Sequence, residues 1–372
     1  MSTQPARYIM VGGFLGAGKT TAVARLAAHF IGQGLRVGLI TNDQGSELVD
    51  TTMLRSRGFA TEEISGGCFC CRFNSLVQAA QKLTRDQAPD VFIAEPVGSC
   101  TDLIATVSYP LRRLYGAAFT IAPLSVLVDP IRALRILGLE QGGSFSEKVL
   151  YIYRKQLEEA DLIVINKRDL IDAARLAALR QKLTETFPAA IVLDVSARSG
   201  DHLENWFARL ASAEQSARTA MSVDYETYAE GEALLGWLNA TVRARGDAPF
   251  DGNELLQKLT AHVQSHLQSG GGEVAHLKMT LTADEGLGDT AVINLVRNDY
   301  RPELSQEMAD RVASAELIVN IRAEIAPERL SAALDCALAD TRADLPDVTM
   351  ALEHHESFRP GKPMPTYRVT AG

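Results

Sequence analysis

The stretch that most constrains the fold is Gly13-Phe14-Leu15-Gly16-Ala17-Gly18-Lys19-Thr20, which matches the pattern G-x-x-x-x-G-K-[ST]. It follows an apolar run, Tyr8–Val11, that reads as a buried strand, and it leads into Thr20–Phe30, which reads as a helix. Strand, glycine-rich turn and helix is the context in which this pattern cradles phosphate. The glycines let the backbone curl until its N–H groups face phosphate oxygens, and the start of the helix adds its positive end. On this reading Gly13, Gly16, Ala17, Gly18 and Thr21 line a phosphate chain, Lys19 bridges the β- and γ-phosphates, and the Thr20 hydroxyl binds Mg2+.

Further apolar runs follow at Arg36–Thr41, Val91–Ala94, Ser125–Val128, Leu162–Ile165 and Ile191–Val195. Helical patterns lie between them at Glu47–Arg57, Phe73–Thr84 and Ala173–Phe187. The alternation predicts an α/β fold, a doubly wound and mostly parallel sheet of the P-loop NTPase kind, with its motifs at the carboxyl ends of strands. Ala211–Ser222 is small and polar and reads as a linker. Beyond it come an apolar-rich run at Tyr225–Val242 and a helix at Asn253–Leu267. Strand-like runs at Glu273–Leu281, Ala291–Val296 and Glu316–Ile325, a helix at Pro327–Ala339 and a last run at Val348–Glu353 complete the chain. This order predicts a C-terminal α+β sandwich, with domains at 1–215 and 216–372. At 372 residues, 46% of them hydrophobic, the chain has material for two cores.

The net charge of −9 argues against nucleic acid as a partner, because affinity for its backbone comes from clustered Lys and Arg. Tyr8–Val11 is too short for a secretory signal core or a membrane span, and five cysteines with three crowded together suit a reducing compartment. The expectation is a cytoplasmic protein without a membrane partner.

Asn166-Lys167-Arg168-Asp169 follows the strand Leu162–Ile165 and matches N-K-x-D. The Asp169 carboxylate accepts from both N1–H and the exocyclic amine of guanine. Adenine has no such donor pair and leaves the carboxylate unpaired, which discriminates strongly. Asn166 holds the loop and Lys167 covers the base, while Ser196-Ala197-Arg198 reads as a second guanine loop. Glu95-Pro96-Val97-Gly98 ends the strand Val91–Ala94, placing Glu95 to hold Mg2+ through water and Gly98 to approach the γ-phosphate. Asn42-Asp43-Gln44-Gly45 falls where a first switch loop belongs, with Asp43 as a second Mg2+ carboxylate or water-orienting group and Asp50 a weaker candidate.

Between these segments lies Gly66-Gly67-Cys68-Phe69-Cys70-Cys71. Thiolates prefer zinc, copper(I) or iron–sulfur clusters over magnesium or calcium. Two glycines free the backbone to turn three sulfurs toward one point, and a site with three protein ligands exchanges its metal more readily than a closed one. Water, a partner or a distant residue completes it. Cys100 is the nearest candidate, although a small buried residue is the commoner role for such a cysteine. Cys336 is expected in the core. His262 and His266 flank the stripe Leu256, Leu259, Val263 and Leu267, where a boundary histidine is unremarkable, and His354-His355-Glu356 reads as a solvated strand end.

The ordered set GGFLGAGKTT, TNDQG, GGCFCC, EPVG and NKRD, spanning roughly residues 7–210, resembles the CobW-like family of P-loop GTPases, relatives of the nickel-insertion GTPases for urease and hydrogenase. The resemblance implies GTP and Mg2+ as cofactors and slow hydrolysis of GTP to GDP and phosphate. It implies Lys19, Thr20, Asp43 and Glu95 as catalytic positions. It also implies Zn2+ or Co2+ on Cys68, Cys70 and Cys71 for delivery to a client metalloprotein, and a C-terminal domain of the observed size, with assembly into homo-oligomers left open. Two features depart from the family pattern. Pro96-Val97 replace the usual small or hydroxyl-bearing residues after the glutamate, and no long His-rich stretch is present, which favours one-site transfer over storage. The rival readings are an accessory GTPase for a corrinoid or other metal-cofactor enzyme that carries no metal, a P-loop small-molecule kinase, and a scaffold with structural zinc.

Overall fold

The computed structural model describes residues 5–370 apart from 43–50, 52–53, 56–57 and 286–288. The chain forms two compact units, one running to residue 229 and including the segment from 362 onward, the other spanning 230–361.

The first unit is built on eight strands: β1 (Ala6–Gly13), β2 (Val37–Asn42), β3 (Thr61–Ile64), β4 (Val91–Glu95), β5 (Phe119–Ile121), β6 (Ser125–Val128), β7 (Leu162–Ile165) and β8 (Ile191–Asp194). Their order is β3-β2-β4-β1-β6-β7-β8, with β5 paired to the start of β1 and β6 to its end. Every pairing is parallel. Strands such as Leu162–Ile165 are buried along their whole length, as expected of a parallel sheet covered on both faces. Helices Lys19–Gly32, Phe73–Gln87, Glu147–Glu159, Ala173–Thr186 and Leu203–Ser212 connect and flank them. The indole N–H of Trp206, fully buried, donates to Ser125 Oγ at 2.9 Å, so its one polar atom is satisfied inside the core. Pairing of Arg7 through Met10 with Val91 through Ala94 sets β4 beside β1, which brings Glu95 alongside the glycine-rich turn.

The second unit is a six-stranded antiparallel sheet: β9 (Leu235–Phe250), β10 (Glu273–Ala283), β11 (Thr290–Leu295), β12 (Glu303–Gln306), β13 (Val312–Glu324) and β14 (Val348–Phe358), in the order β12-β11-β10-β13-β9-β14. Alternate residues Leu238, Ala240, Val242 and Ala244 of β9 join one core with Leu317, Val319 and Ile321 of β13. Helices Gly252–Ser269 and Pro327–Asp344 close that core through Leu255, Leu259, Val263, Leu330 and Leu334. This is the α+β layer that the sequence pattern predicts. The apolar-rich run from Tyr225 divides into a helix, Tyr225–Leu234, and the start of β9.

Two side-chain expectations are settled here. Cys336 is exposed, not core, because the buried stripe of its helix runs through Leu330, Ala333, Leu334, Ala337 and Leu338. His262 and His266 face acids of the neighbouring helix, with Nε2 of His262 3.1 Å from Asp344 and Nε2 of His266 2.7 Å from Asp340.

Candidate nucleotide and metal site

The glycine-rich turn leaves β1 at Gly13 and enters the helix at Lys19. Gly13, Gly16 and Gly18 have φ of 129°, 78° and 87°, the left-handed region that side chains disfavour, so the turn needs glycine at these positions. Gly18 is also required by space: a Cβ there would stand 2.5 Å from the Asn166 amide nitrogen. Lys19 and Thr20 are buried, and Thr21 follows on the exposed side of the helix. The Thr20 hydroxyl donates to Glu95 Oε1 at 3.0 Å. A hydroxyl and a buried carboxylate side by side are hard oxygen donors, which suits Mg2+.

Gly98 closes the same corner from β4, since a Cβ there would lie 3.0 Å from the Leu15 backbone nitrogen. Gln156 fixes this loop, its amide donating to the carbonyls of Gly98 at 2.9 Å and Cys100 at 2.8 Å. No sequence pattern marks Gln156, because it reaches the site from a helix far along the chain.

The N-K-x-D segment is laced to the turn. Lys167 takes φ of 54°. Asn166 Nδ2 donates to the Ala17 carbonyl at 2.9 Å while its Oδ1 accepts from Ala197 N–H at 3.0 Å, so one amide joins the phosphate turn, the N-K-x-D loop and the Ser196-Ala197 loop. Ser196 is buried and its hydroxyl accepts from Ser199 N–H at 3.2 Å. Lys167 Nζ donates to the Gly16 carbonyl at 2.7 Å and pairs with Asp129 Oδ2 at 3.0 Å. Asp129 escaped the sequence reading. It caps the helix Pro130–Ile136 by accepting from Arg132 N–H, and only the signature Asp-Pro at a helix start hinted at it. Arg132 in turn stacks over Phe14 of the turn, 5.4 Å from its centroid, and over Phe145 at 4.8 Å. Asp169 is exposed at the rim of the same loop.

The three sulfurs of Cys68, Cys70 and Cys71 lie 2.7, 3.1 and 3.6 Å apart. They are the one group of three or more such donors at metal-holding spacing among the described residues. Gly66 and Gly67, at φ of 73° and 148°, turn the chain, and Cys71 and Arg72 N–H close onto the Cys68 carbonyl just before the helix Phe73–Gln87. Cys68 ionises first, its thiol held well below the ordinary range by bonds from Cys100, Cys70 and Cys71. Cys70 is pushed well up by its bond to Cys100 and by those to the other two, and Cys71 is raised to about 11, chiefly by its bond with Cys68. A buried cluster that sheds one proton readily and retains the others is suited to a cation that displaces them.

Asn42, at the end of β2, donates through Nδ2 to the Ile64 carbonyl at 2.9 Å and the Gly67 carbonyl at 2.7 Å. Asp43, Gln44, Gly45 and Asp50, the other switch candidates, lie outside the described residues. The segment from 362 onward also reaches the cysteines. Met364 N–H donates to Cys71 Sγ at 3.2 Å, Thr366 N–H to the Cys70 carbonyl at 2.9 Å, and the Thr366 hydroxyl to the Cys71 carbonyl at 3.1 Å. Further on, Arg368 pairs with Asp102 at 2.6 Å.

A parallel sheet with this glycine-rich turn, the N-K-x-D loop tied to it and paired Thr20 and Glu95 defines a P-loop protein of the GTPase class. Residues 7–194 match the family model of the CobW/HypB/UreG nucleotide-binding domain, half of the chain, and the protein belongs to that family. Among curated relatives, the zinc chaperone CobW of Sinorhizobium sp is 32% identical over 196 residues, 47% of this chain and 54% of that one. The zinc chaperone YeiR of Escherichia coli is 30% identical over 166 residues, 44% and 47% of the two chains. The chain thus spans about half the length of the curated relatives it matches. Among solved structures, the hydrogenase maturation factor HypB of Archaeoglobus fulgidus aligns at 22% identity with a TM-score of 0.39, covering 55% of this chain and 89% of that one. The Zn(II)-bound YjiA GTPase of Escherichia coli aligns at 16% identity with a TM-score of 0.38, covering 89% and 98%. No helix among the described residues is long and apolar enough to cross a membrane.

Proposed function

We propose that this protein is a GTP-hydrolysing metallochaperone that carries Zn2+ or Co2+ on Cys68, Cys70 and Cys71 and delivers it to a client metalloprotein. GTP occupies the turn Gly13–Thr20, with Thr20 and Glu95 holding Mg2+ and Lys19 meeting the β- and γ-phosphates. Asn166, Lys167, Asp169, Ser196 and Ala197 hold the guanine. Mg2+ supplies charge neutralisation on the phosphates, and hydrolysis otherwise depends on positioning. With Asp43 orienting water and no arginine finger in the pattern, turnover is slow until a client engages. The Cys loop releases its cargo as GTP becomes GDP.

The observation that carries this reading is the bond from Asn42 to Gly67 at 2.7 Å, which ties the strand end entering the switch segment to the first turn of the cysteine loop. A segment ordered by the γ-phosphate and a segment holding metal then share one hydrogen bond, a form of coupling that ligand-ordered loops use. The test is Zn2+ and Co2+ affinity of the full chain with a non-hydrolysable GTP analogue against GDP. Tighter metal binding in one nucleotide state, lost in a variant with Cys68, Cys70 and Cys71 changed to Ser, supports the reading. Equal affinity in both states, or unchanged affinity in the variant, overturns it.

A further inference from the structure

We propose that residues 364–370 are the built-in occupant of a peptide-binding strip beside the cysteines, and that a client docks by laying an extended segment with a basic side chain into the same strip. The inference rests on the metallochaperone reading above and names the surface its client would use. The strip is made by the cysteine loop and by segments 102–105 and 220–221. Along it Met364 N–H donates to Cys71 Sγ at 3.2 Å, Thr366 N–H to the Cys70 carbonyl at 2.9 Å and Val369 N–H to the Ala105 carbonyl at 2.8 Å. The Thr370 carbonyl accepts from Ala220 N–H at 2.9 Å. Main-chain bonds of this kind take any sequence, and they supply the affinity where a protein binds an extended peptide.

The stretch is prepared for this role by its sequence. Pro363 and Pro365 confine Lys362 and Met364 to extended backbone. The N–H groups of Met364 and Thr366, two residues apart, meet the strip, and the prolines beside them have no donor to leave unpaired. Few side chains hold the stretch down. Pro363 is buried, Pro365 and Val369 are half-buried, and the others from 362 to 370 are exposed, Met364 at 74%. Tyr367 adds an edge contact with Phe73, 5.2 Å between ring centroids. A segment held by main-chain bonds at the surface, with little apolar burial, opens at low cost. It lies against Cys71, the half-exposed member of the three cysteines.

Asp102 sets the chemistry of whatever takes its place. The carboxylate is 1% exposed and pairs with Arg368, Nε to Oδ2 at 2.6 Å and Nη2 to Oδ1 at 3.4 Å. Arg368 also donates to the Met221 carbonyl at 2.9 Å. The Tyr225 hydroxyl donates to the same carboxylate at 2.6 Å but brings no charge. A buried carboxylate stripped of its cation is strongly destabilising. An incoming segment must therefore carry a guanidinium or ammonium of its own, two residues beyond the N–H that meets Cys70. An acidic or neutral segment leaves Asp102 unpaired, which discriminates against it.

The test uses the full chain loaded with Zn2+ and a free peptide with the sequence of residues 362–370. The built-in segment competes at the millimolar effective concentration of a short tether, so fluorescence anisotropy should find the peptide bound at least about tenfold more tightly by the Arg368→Ala protein than by the parent. A peptide carrying Arg368→Glu should bind neither. Loss of an outer-shell partner costs about 10- to 100-fold in metal affinity, so Zn2+ should leave Arg368→Ala about tenfold faster in stopped-flow chelation, and saturating peptide should restore the parent rate. Because Arg368→Ala strands a buried acid, Asp102→Asn is the second protein. It has no charge to strand, and it should take the parent peptide and one carrying Arg368→Gln with equal affinity. Equal peptide affinity in Arg368→Ala and the parent, no binding at millimolar peptide, or binding of the Arg368→Glu peptide as well as the parent peptide overturns the proposal. If the peptide fails while changing Cys68, Cys70 and Cys71 to Ser abolishes Zn2+ binding, only the strip falls. If that triple variant binds Zn2+ as the parent does, the metallochaperone reading fails and client docking at the strip falls with it.

Discussion

At the guanine end of the sheet edge, Asn166 joins three loops with two bonds and Lys167 joins the phosphate turn to Asp129 with two more. At the cysteine end the links come from several separate segments: Asn42 to Gly67, Met364 and Thr366 to Cys71 and Cys70, and Arg368 to Asp102. In the function proposed above, the first arrangement would hold a base whatever the number of phosphates beside it. The second joins the cysteine loop to β2 and to the segment from 362 onward, so that a change at either reaches the sulfurs. In that proposed function, recognition would rest on loops tied to one another by one amide, and response on a loop held by several separate segments.

The largest expected effect lies at the cysteine end. Glu159 is fully buried, accepts from the Thr101 hydroxyl and Ile104 N–H, and is raised from 4.5 to about 8, first by burial and then by the neighbouring Asp102. The folded state therefore keeps a proton that the unfolded chain gives up near 4.5. The stability this supplies is full below that pH and declines as pH rises through about 8, by about 5 kcal/mol at most. Glu159→Gln has no proton to lose, so its stability advantage over the parent should widen from pH 5 to pH 9. Urea unfolding across that range measures it, and parallel profiles for the two proteins would show that the acid is not protonated in the folded state.

The guanine end should fail differently. Asp169→Asn removes a charged acceptor from the base, at a cost of about 3 kcal/mol, or about 100-fold in affinity. In the proposed function the base contacts do not involve the γ-phosphate, so calorimetry should find the same loss for GTP and GDP. Xanthosine triphosphate should gain, since its C2 carbonyl accepts from the new amide. Unequal losses for the two guanine nucleotides would break the contrast between the ends.

Asn42→Ala tests the link from the other side, by removing the two bonds to Ile64 and Gly67. About 1 to 2 kcal/mol of coupling is at stake. GDP affinity should stay put, while the difference in Zn2+ affinity between nucleotide states should shrink about tenfold. A variant that weakens GDP binding while leaving the metal difference intact would place the coupling elsewhere.

The same contrast governs what the sequence made legible. The phosphate turn, N-K-x-D and the cysteine run are local, so their spacing alone announces them. The strands of the parallel sheet are buried on both faces and show as plain apolar runs, and Leu162–Ile165 and Ser125–Val128 fall where the pattern puts them. Short β3, β5 and β12 offer three or four residues each, too few for a period to register. The helix Glu147–Glu159 also went unread, and with it Gln156 and Glu159. Both act at loops more than fifty positions earlier in the chain, a relation only the tertiary fold creates. The N–H bond from Met364 to Cys71 is of the same kind, a main-chain contact between segments 293 positions apart that leaves no residue signature.

The smallest effect belongs to that late segment. Thr366 touches the cysteine loop twice, through N–H to Cys70 and through the hydroxyl to Cys71. Thr366→Val deletes only the second bond and keeps the side-chain shape, and Thr366 is exposed, so about 0.5 to 1 kcal/mol is the expected loss. What remains is the main-chain bond that keeps Met364 N–H near the Cys71 sulfur. Zn2+ should therefore leave about two- to fivefold faster in stopped-flow chelation, equally with GTP analogue and GDP, because this contact lies off the path from the γ-phosphate. GTP affinity should not move. Faster release in one nucleotide state alone would make the late segment part of the switch and extend the cysteine end beyond the Asn42 and Asp102 loops.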